Sequence, residues 1–378
     1  MKKCLLLIYI AFTTLAVQAQ DYGTEKDMPL FFEQLKANLD FPLRWQHNKK
    51  MKFSQWKKKA RQSVMQTLQT PPPSSGFHLQ MGESEQREGY SATKCTFNVS
   101  DWCRVSAYLL VPEGKGPFPA VLMLHDHGAH FSIGKEKMVR PFGVDSTLVK
   151  DADEWCVKCY DGQYAGDYFA QNGYVVLSVD ALFWGERGRK EGVRYDSQQA
   201  LASNFLQMGS SWGAFIVWDD IRSAQFLATL PMVDKKRIGC LGFSMGAHRS
   251  WMTSALSDVI AASANVCWMN DTEHLMTLTN NQNKGGSAYA MIIPGIRNLM
   301  DYPDVAALAC PKPTLFYNGL RDKLFPVEGV NAAYQLMREV WQSQHAEEKL
   351  VLKSWDEPHF FSKAMQQGTL QFFDKWLK

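Results

Sequence analysis

Gly242-Phe243-Ser244-Met245-Gly246 is the stretch of this 378-residue chain whose residue types and spacing point most directly to chemistry. It is G-x-S-x-G, preceded by the apolar run from Ile238 and followed by residues that suit a helix. In that setting a serine sits on a sharp strand-to-helix turn with its hydroxyl presented above the sheet edge. The flanking glycines avoid collisions with neighbouring backbone. The turn also puts Ser244 at a helix N-terminus, where free N–H groups favour developing negative charge. The pentapeptide alone is a weak signal, because small residues surround many serines by chance.

A serine hydroxyl needs a base to take its proton, and the base needs a carboxylate to fix its tautomer. Beyond His248, the only downstream histidines are His274, His345 and His359. His359 stands in Trp355-Asp356-Glu357-Pro358-His359, between the last apolar run and the last helical pattern. It is the expected base; His345 lies among charged residues and His274 in an insertion. Asp322 follows the apolar run ending at Asn318-Gly319 and is the expected acid, with Glu328 and Asp356 in reserve. An oxyanion needs two N–H groups aimed where charge develops. Met245 supplies one, and the loop His125-Asp126-His127-Gly128 supplies the other through His127, with Asp126 as the fallback. His125, His127 and His130 could also suggest zinc, with Glu186 as a further ligand, but loop histidines beside an oxyanion site need no metal. No metal and no cofactor are expected.

These residues must be positioned by elements. Continuous apolar runs at Ala120–Leu124, Tyr174–Asp180, Ile238–Phe243, Ile260–Val266, Thr314–Tyr317 and Leu350–Trp355 suit strands buried on both faces. Helical patterns at Trp212–Leu230, Met245–Leu256, Val327–Trp341 and Phe360–Leu377 separate most of them. Such alternation makes an α/β fold with a mostly parallel central sheet flanked by helices. Tyr90–Val99 and Arg104–Val111 suit antiparallel strands. Three irregular insertions, His130–Gly162, Phe183–Ser211 and Asn270–Pro303, each follow the C-terminal end of a parallel strand and are expected to wall a substrate cleft.

Residues 20–76 form an N-terminal helical extension, ended by Pro71-Pro72-Pro73-Ser74-Ser75-Gly76, and 77–378 form the main domain. Residues 1–19 suit a signal peptide: Lys2-Lys3, an apolar run from Cys4 to Val17, and cleavage after Ala19. A secreted or periplasmic protein is expected, with no other stretch long enough to span a membrane. The formal charge is +3, and two of the basic residues lie in that leader. The remainder is close to neutral, which argues against nucleic acid as a partner. Of eight cysteines, Cys4 leaves with the leader and seven remain, so at least one thiol has no partner within the chain. Cys156-x-x-Cys159 suits a local disulfide or plain thiols, and Cys95 and Cys103 could bridge adjacent strands. Composition leaves the oligomeric state open.

The segments resemble the α/β-hydrolase superfamily, and within it the dienelactone-hydrolase-like and acetyl xylan esterase-like secreted bacterial proteins. The resemblance rests on His125–Gly128, Asp180–Gly188, Gly242–Gly246, Asn318–Pro326 and Pro358-His359, and covers roughly 77–378. It implies the chain order serine, acid, histidine. It also implies a serine esterase, acting on acyl decorations of plant polysaccharides. Trp184, Glu186, Arg187, Arg249 and Trp268 are the candidate substrate contacts, aromatics for sugar faces and arginine for a carboxylate. Two alternatives stand beside it. A serine peptidase with the same triad would need a gating domain larger than the segment before Phe77. A catalytically silent carbohydrate-binding homologue would not need all three triad residues.

Overall fold

The computed structural model describes residues 23–378 except 26–27, 190, 193, 195 and 281–286. The expected signal peptide lies outside the described residues. The chain divides into two compact units at Leu39/Asp40. In the first, β1 (Thr24–Glu25) pairs antiparallel with β2 (Met28–Pro29), and α1 (Phe32–Ala37) follows. The second unit therefore begins inside the segment read as an extension. It includes α2 (Phe53–Thr67), whose Trp56, Ala60 and Val64 are buried at helical spacing. They join a core cluster with Leu256, Ala307 and Trp341.

The second unit is built on one nine-stranded sheet. In chain order its strands are β3 (Gln80–Arg87), β4 (Tyr90–Ser100), β5 (Cys103–Pro112), β6 (Phe118–Leu124), β7 (Val175–Val179), β8 (Val233–Phe243), β9 (Ala262–Val266), β10 (Thr314–Gly319) and β11 (Leu350–Trp355). Across the sheet they run β3-β4-β5-β7-β6-β8-β9-β10-β11. The first three and the β5–β7 join are antiparallel; every pair from β7 to β11 is parallel. β7 and β9 are buried along their whole length; β7 is apolar but for Ser178, while β9 also buries Ser263 and Asn265, whose Nδ2 donates to the Leu315 carbonyl at 2.9 Å. β3 is not among the expected strands. Its sequence, QMGESEQR, is charged and exposed, which is how an edge strand avoids pairing with other chains.

Helices α3 (Ser146–Tyr160), α4 (Ala165–Gln171), α5 (Ser197–Gln207), α6 (Trp212–Leu227), α7 (Met245–Leu256), α8 (Thr272–Leu275), α9 (Tyr302–Ala306), α10 (Val327–Gln342) and α11 (Lys363–Leu377) complete the unit. The insertions expected to be irregular thus contain α3, α5 and α8. The Asp145 carboxylate caps α3 by accepting from Thr147 N–H at 2.8 Å, and Asp161 ends it in the left-handed region. Cys95 lies opposite Ala107 and Cys103 opposite Ser100, so the two do not face each other across the hairpin. The seven described cysteines are all free thiols.

The parallel register sets the working edge. Leu124 pairs with Gly242, Phe243 with Val266, and Gly319 with Trp355. The loops after β6, β8, β10 and β11 therefore leave the sheet side by side. At Ser244 the chain turns with φ +56° and ψ −123°, a conformation that costs a non-glycine residue about 1–3 kcal/mol. The turn fits only because its neighbours are glycines. A methyl at Gly246 would stand 1.8 Å from the Leu124 carbonyl oxygen, and one at Gly242 2.0 Å from the Gly246 carbonyl oxygen. Ser244 N–H donates to the Val266 carbonyl at 2.8 Å, tying the turn to the next strand. All twelve residues of α7 are buried.

Gly246→Ala is expected to cost stability at or beyond the upper end of the ~1–3 kcal/mol overpacking range, because the obstruction is backbone. Urea denaturation measures it. A midpoint equal to that of the unsubstituted protein would contradict the close approach described.

Candidate active site

Ser244, Asp322 and His359 come from three loops and meet. His359 Nε2 lies 2.8 Å from Ser244 Oγ, and His359 Nδ1 lies 2.6 Å from Asp322 Oδ2. The carboxylate accepts, so Nδ1 carries the proton and Nε2 turns its lone pair to the serine hydroxyl. The second oxygen of Asp322 accepts from Leu324 N–H at 2.9 Å. The Asp322 carboxylate is fully buried, while the His359 side chain keeps about a quarter of its surface, 24 %. The ring of Phe243 lies 5.0 Å from the imidazole, and that of Phe325 stacks on it at 6.1 Å.

The loops carrying Asp322 and His359 are joined to each other. Leu320 N–H donates to the Trp355 carbonyl at 2.7 Å and Arg321 N–H to the Glu357 carbonyl at 3.0 Å. At their crossing a methyl on Gly319 would lie 2.4 Å from the Glu357 carbonyl oxygen. The other sequence candidates lie elsewhere. Asp356 is paired with Arg321, His274 with Asp271, His345 is exposed, and Glu328 opens α10.

The loop after β6 is held from behind. The Asp126 carbonyl accepts from His125 Nδ1 at 2.8 Å and Lys137 Nζ at 3.1 Å. The His127 carbonyl accepts from Lys137 Nζ at 2.9 Å and Trp184 Nε1 at 3.1 Å. A trans peptide points its N–H opposite its carbonyl. Fixing these two carbonyls toward Lys137 therefore turns the N–H groups of His127 and Gly128 the other way. The Asp126 carboxylate accepts from Tyr160 Oη at 2.6 Å and Trp155 Nε1 at 3.1 Å. Burial lowers the pKa of the enclosed Lys137 ammonium and raises that of the Tyr160 phenol well above its usual value.

His125, His127 and His130 each have separate partners rather than a common centre. His125 Nε2 accepts from Ala181 N–H at 3.0 Å, so its proton is on Nδ1. His127 Nδ1 accepts from Ala129 N–H at 2.9 Å, leaving Nε2–H to donate to Gln198 Oε1 at 2.7 Å. His130 bonds Asp151. Burial lowers His127 to about 4 and His125 well below its ordinary value. Among the described residues, the ligating atoms that do gather belong to Cys267, Asp322 and His359.

An open-sided hollow of about 240 Å³ lies over Ser244. Asp126, His127, Gly128, Ala129, Trp155, Cys159, Phe243, Leu324 and His359 complete its lining. None of the five expected substrate contacts is among them. Trp184 is fully buried, stacked on Trp212 at 5.4 Å. Glu186 bonds Lys135 at 3.0 Å, and Arg187 reaches Asp219 at 2.7 Å. Arg249 is buried in a two-pronged pair with Asp220, at 2.6 and 2.9 Å. Trp268 packs against His248, Tyr302 and Phe325. Aromatic and arginine residues just past a strand end are as useful for closing the core as for holding a ligand. The lining residues missed in the sequence, Trp155 and Cys159, stand four apart on one face of α3. Their signal is the helical pattern inside an insertion, overshadowed by the C-x-x-C spacing.

His248, one turn beyond Ser244, lies between the rings of Trp251 and Trp268, and burial lowers it to about 3. The unfolded chain takes up this proton near pH 6.5 and the folded chain does not. Stability from this residue is thus complete above about pH 6.5. It falls by about 1.4 kcal/mol per pH unit as pH drops toward the folded value. His248→Phe is expected to flatten the acid limb of the stability curve by up to that slope. Chemical denaturation at several values between pH 4 and 7 reads it, and parallel curves would refute it.

One curated relative, two solved structures and one family profile are similar to this chain. The provisionally named hydrolase YtaP of Bacillus subtilis (strain 168) is 26 % identical over 294 residues, 78 % of this chain and 90 % of that protein. A provisionally assigned acetyl xylan esterase from Bacteroides fragilis NCTC 9343 shares the fold at TM-score 0.63 and 22 % identity, over 80 % of this chain and 75 % of that one. A glucuronoyl esterase from Solibacter usitatus does so at TM-score 0.61 and 13 % identity, over 87 % and 94 %. The profile of the Abhydrolase family matches residues 22–354. With that match spanning most of its length, and with an α/β-hydrolase sheet carrying the loops described, this chain belongs to the Abhydrolase family.

Proposed function

We propose that this protein is a serine esterase that hydrolyses carboxylic esters through an acyl-enzyme. The observation that carries the reading is the pair of hydrogen bonds in series, Ser244 Oγ to His359 Nε2 at 2.8 Å and His359 Nδ1 to Asp322 at 2.6 Å. In this reading Ser244 Oγ attacks the ester carbonyl as His359 Nε2 takes its proton. Asp322 holds the tautomer and stabilises the imidazolium. The N–H groups of Met245 and His127 receive the oxyanion. His359 returns the proton to the departing alcohol. Water then enters, activated by the same imidazole, and releases the acid.

Names of similar solved structures favour a carbohydrate ester: acetyl xylan esterase, and glucuronoyl esterase. We take acyl groups on plant polysaccharides as the substrate class. The leader-like first 19 residues favour export, and no helix among the described residues is long and apolar enough to cross a membrane.

A fluorophosphonate probe is expected to label the protein and to lose its target in Ser244→Ala. That variant, and His359→Ala, should reduce kcat on p-nitrophenyl acetate by about 10⁴–10⁶-fold. Unlabelled wild-type protein would favour the silent carbohydrate binder. Faster turnover of aminoacyl anilides than of acetyl esters would favour a peptidase.

Lys137 gives a second expectation. Lys137→Met removes one of the two donors that hold each of the Asp126 and His127 carbonyls, leaving His125 Nδ1 and Trp184 Nε1, so the loop loses part of its fixed orientation. Losing one oxyanion donor costs about 10²–10³ in kcat. A loosened donor should cost about 10–100-fold, with KM changed less than about threefold. Steady-state kinetics read the split; a loss confined to KM would point to ground-state binding instead.

A further inference from the structure

Trp155, Cys159, Phe243, Leu324, Gly128 and Ala129 line the hollow over Ser244 beside Asp126, His127 and His359. At about 240 Å³ it falls below the ~300–1,000 Å³ of sites that enclose a drug-sized ligand. It can take one small group of the substrate, not a sugar unit with its hydroxyls. Among the described lining residues there is no lysine or arginine, so no fixed cation on the wall opposite His359 would balance a carboxylate. An unpaired charge placed against these walls would lose its hydration without a partner.

Trp155 is fixed in place. Its Nε1 donates to Asp126 Oδ2 at 3.1 Å. The His130 ring stacks on it at 4.9 Å with 10° between planes. The ammonium groups of Lys137 and Lys158 lie over the ring at 5.2 and 5.0 Å. Its six-membered edge meets Gly128, where an added methyl would lie 2.2 Å from Trp155 Cζ2. One face is therefore already covered by His130, and the residue as a whole is 8 % exposed. Trp155 is a wall, not a platform on which a sugar ring could stack. Cys159, one turn along α3, continues that wall, and burial pushes its thiol up to about 12, so it stays a neutral, apolar neighbour.

We infer that this hollow receives the acyl group of the ester, and that Trp155 limits it to a short, uncharged chain. The inference rests on the esterase reading and adds to it the residue that sets acyl length. The sugar or other alcohol then stays on the open side, where His359 protonates it.

The test is a series of p-nitrophenyl esters from acetyl to octanoyl, with a succinyl monoester as the charged member. It is run on the full chain with Trp155→Leu and Cys159→Phe. Each methylene accepted or refused by an apolar pocket is worth about 10-fold or more in kcat/KM. The wild type is expected to favour acetyl to butyryl, to lose at least 10-fold by octanoyl, and to refuse succinyl by a similar margin. Trp155→Leu should raise the hexanoyl-to-acetyl ratio by about 10-fold. Cys159→Phe should lower the butyryl-to-acetyl ratio, and it leaves the Trp155–Asp126 bond in place should Trp155→Leu fold poorly. Wild-type activity with ratios unmoved in both variants, or with octanoyl or succinyl preferred, overturns the inference and leaves the esterase reading standing. No turnover of any ester by wild-type protein removes the esterase reading itself.

Discussion

The site depends on one steric contact: helix α7 approaches the ends of β6 and β8 so closely that neither Gly242 nor Gly246 has room for a methyl. That approach forces Ser244 into φ +56° and lifts its hydroxyl above the sheet. The strain is local, and the surroundings hold it. The Ser244 N–H is bonded to β9, its carbonyl accepts from Ala247 and His248 N–H, and helix α7 is enclosed on every side. Within that enclosed helix Arg249 would be an unpaired charge without Asp220. Removing one partner of such a pair typically costs several kcal/mol, because the other is left buried alone. A residue that resembles a substrate-binding arginine in the sequence is thus part of the framework that holds the helix after Ser244.

The same logic governs the loop opposite. A buried lysine costs desolvation unless its three protons are all accepted. Lys137 meets that demand with two backbone carbonyls and the Asp126 carboxylate. The lysine is satisfied only when the Asp126 and His127 carbonyls face it, and then the adjoining N–H groups face away. Orientation of the loop and burial of the charge are one arrangement. Lys135, two residues earlier, does the parallel task between Asp180, Glu136 and Glu186, anchoring the loop after β7 to the loop after β6.

Much of this is legible in the sequence for a physical reason. Strands buried on both faces are mostly apolar, so β6, β7 and the end of β8 announce themselves most clearly, with β9 and β10 diluted by Ser263, Asn265 and Asn318, and the loops after these parallel strands lie at one edge. Ser244, Asp322 and His359 can be singled out because each lies within four residues of the end of a strand, β8, β10 and β11. Their mutual distances are a product of register, which no single run contains. Partnership is the part that is not legible. Arg249, Arg187, Trp184 and Trp268 have the residue types of a binding site but are committed to Asp220, Asp219, the His127 carbonyl and an aromatic cluster. Lys137 escapes notice because a lysine in a polar insertion reads as solvated. β3 escapes it because an edge strand can be wholly polar, and α3 because the C-x-x-C pattern draws attention to sulfur rather than to Trp155.

Charge is distributed unevenly about the serine, and this bears on what the site can stabilise. Behind the loop after β6 stands a buried ammonium, and the nearby imidazoles of His125, His127 and His248 are held neutral by burial. The Asp126 carboxylate is met by Tyr160, Trp155 and Lys137. The Asp322 carboxylate is met by His359 and the Leu324 N–H. The hollow itself presents carbon. On the esterase reading proposed above, a neutral ester entering there would lose little hydration, and the N–H groups that face away from Lys137 would act on a tetrahedral oxyanion in a region of low polarity, where dipoles act most strongly. On that reading the arrangement would favour the state that carries the charge, and the carbonyls held by Lys137, His125 and Trp184 are what would keep those dipoles from turning away.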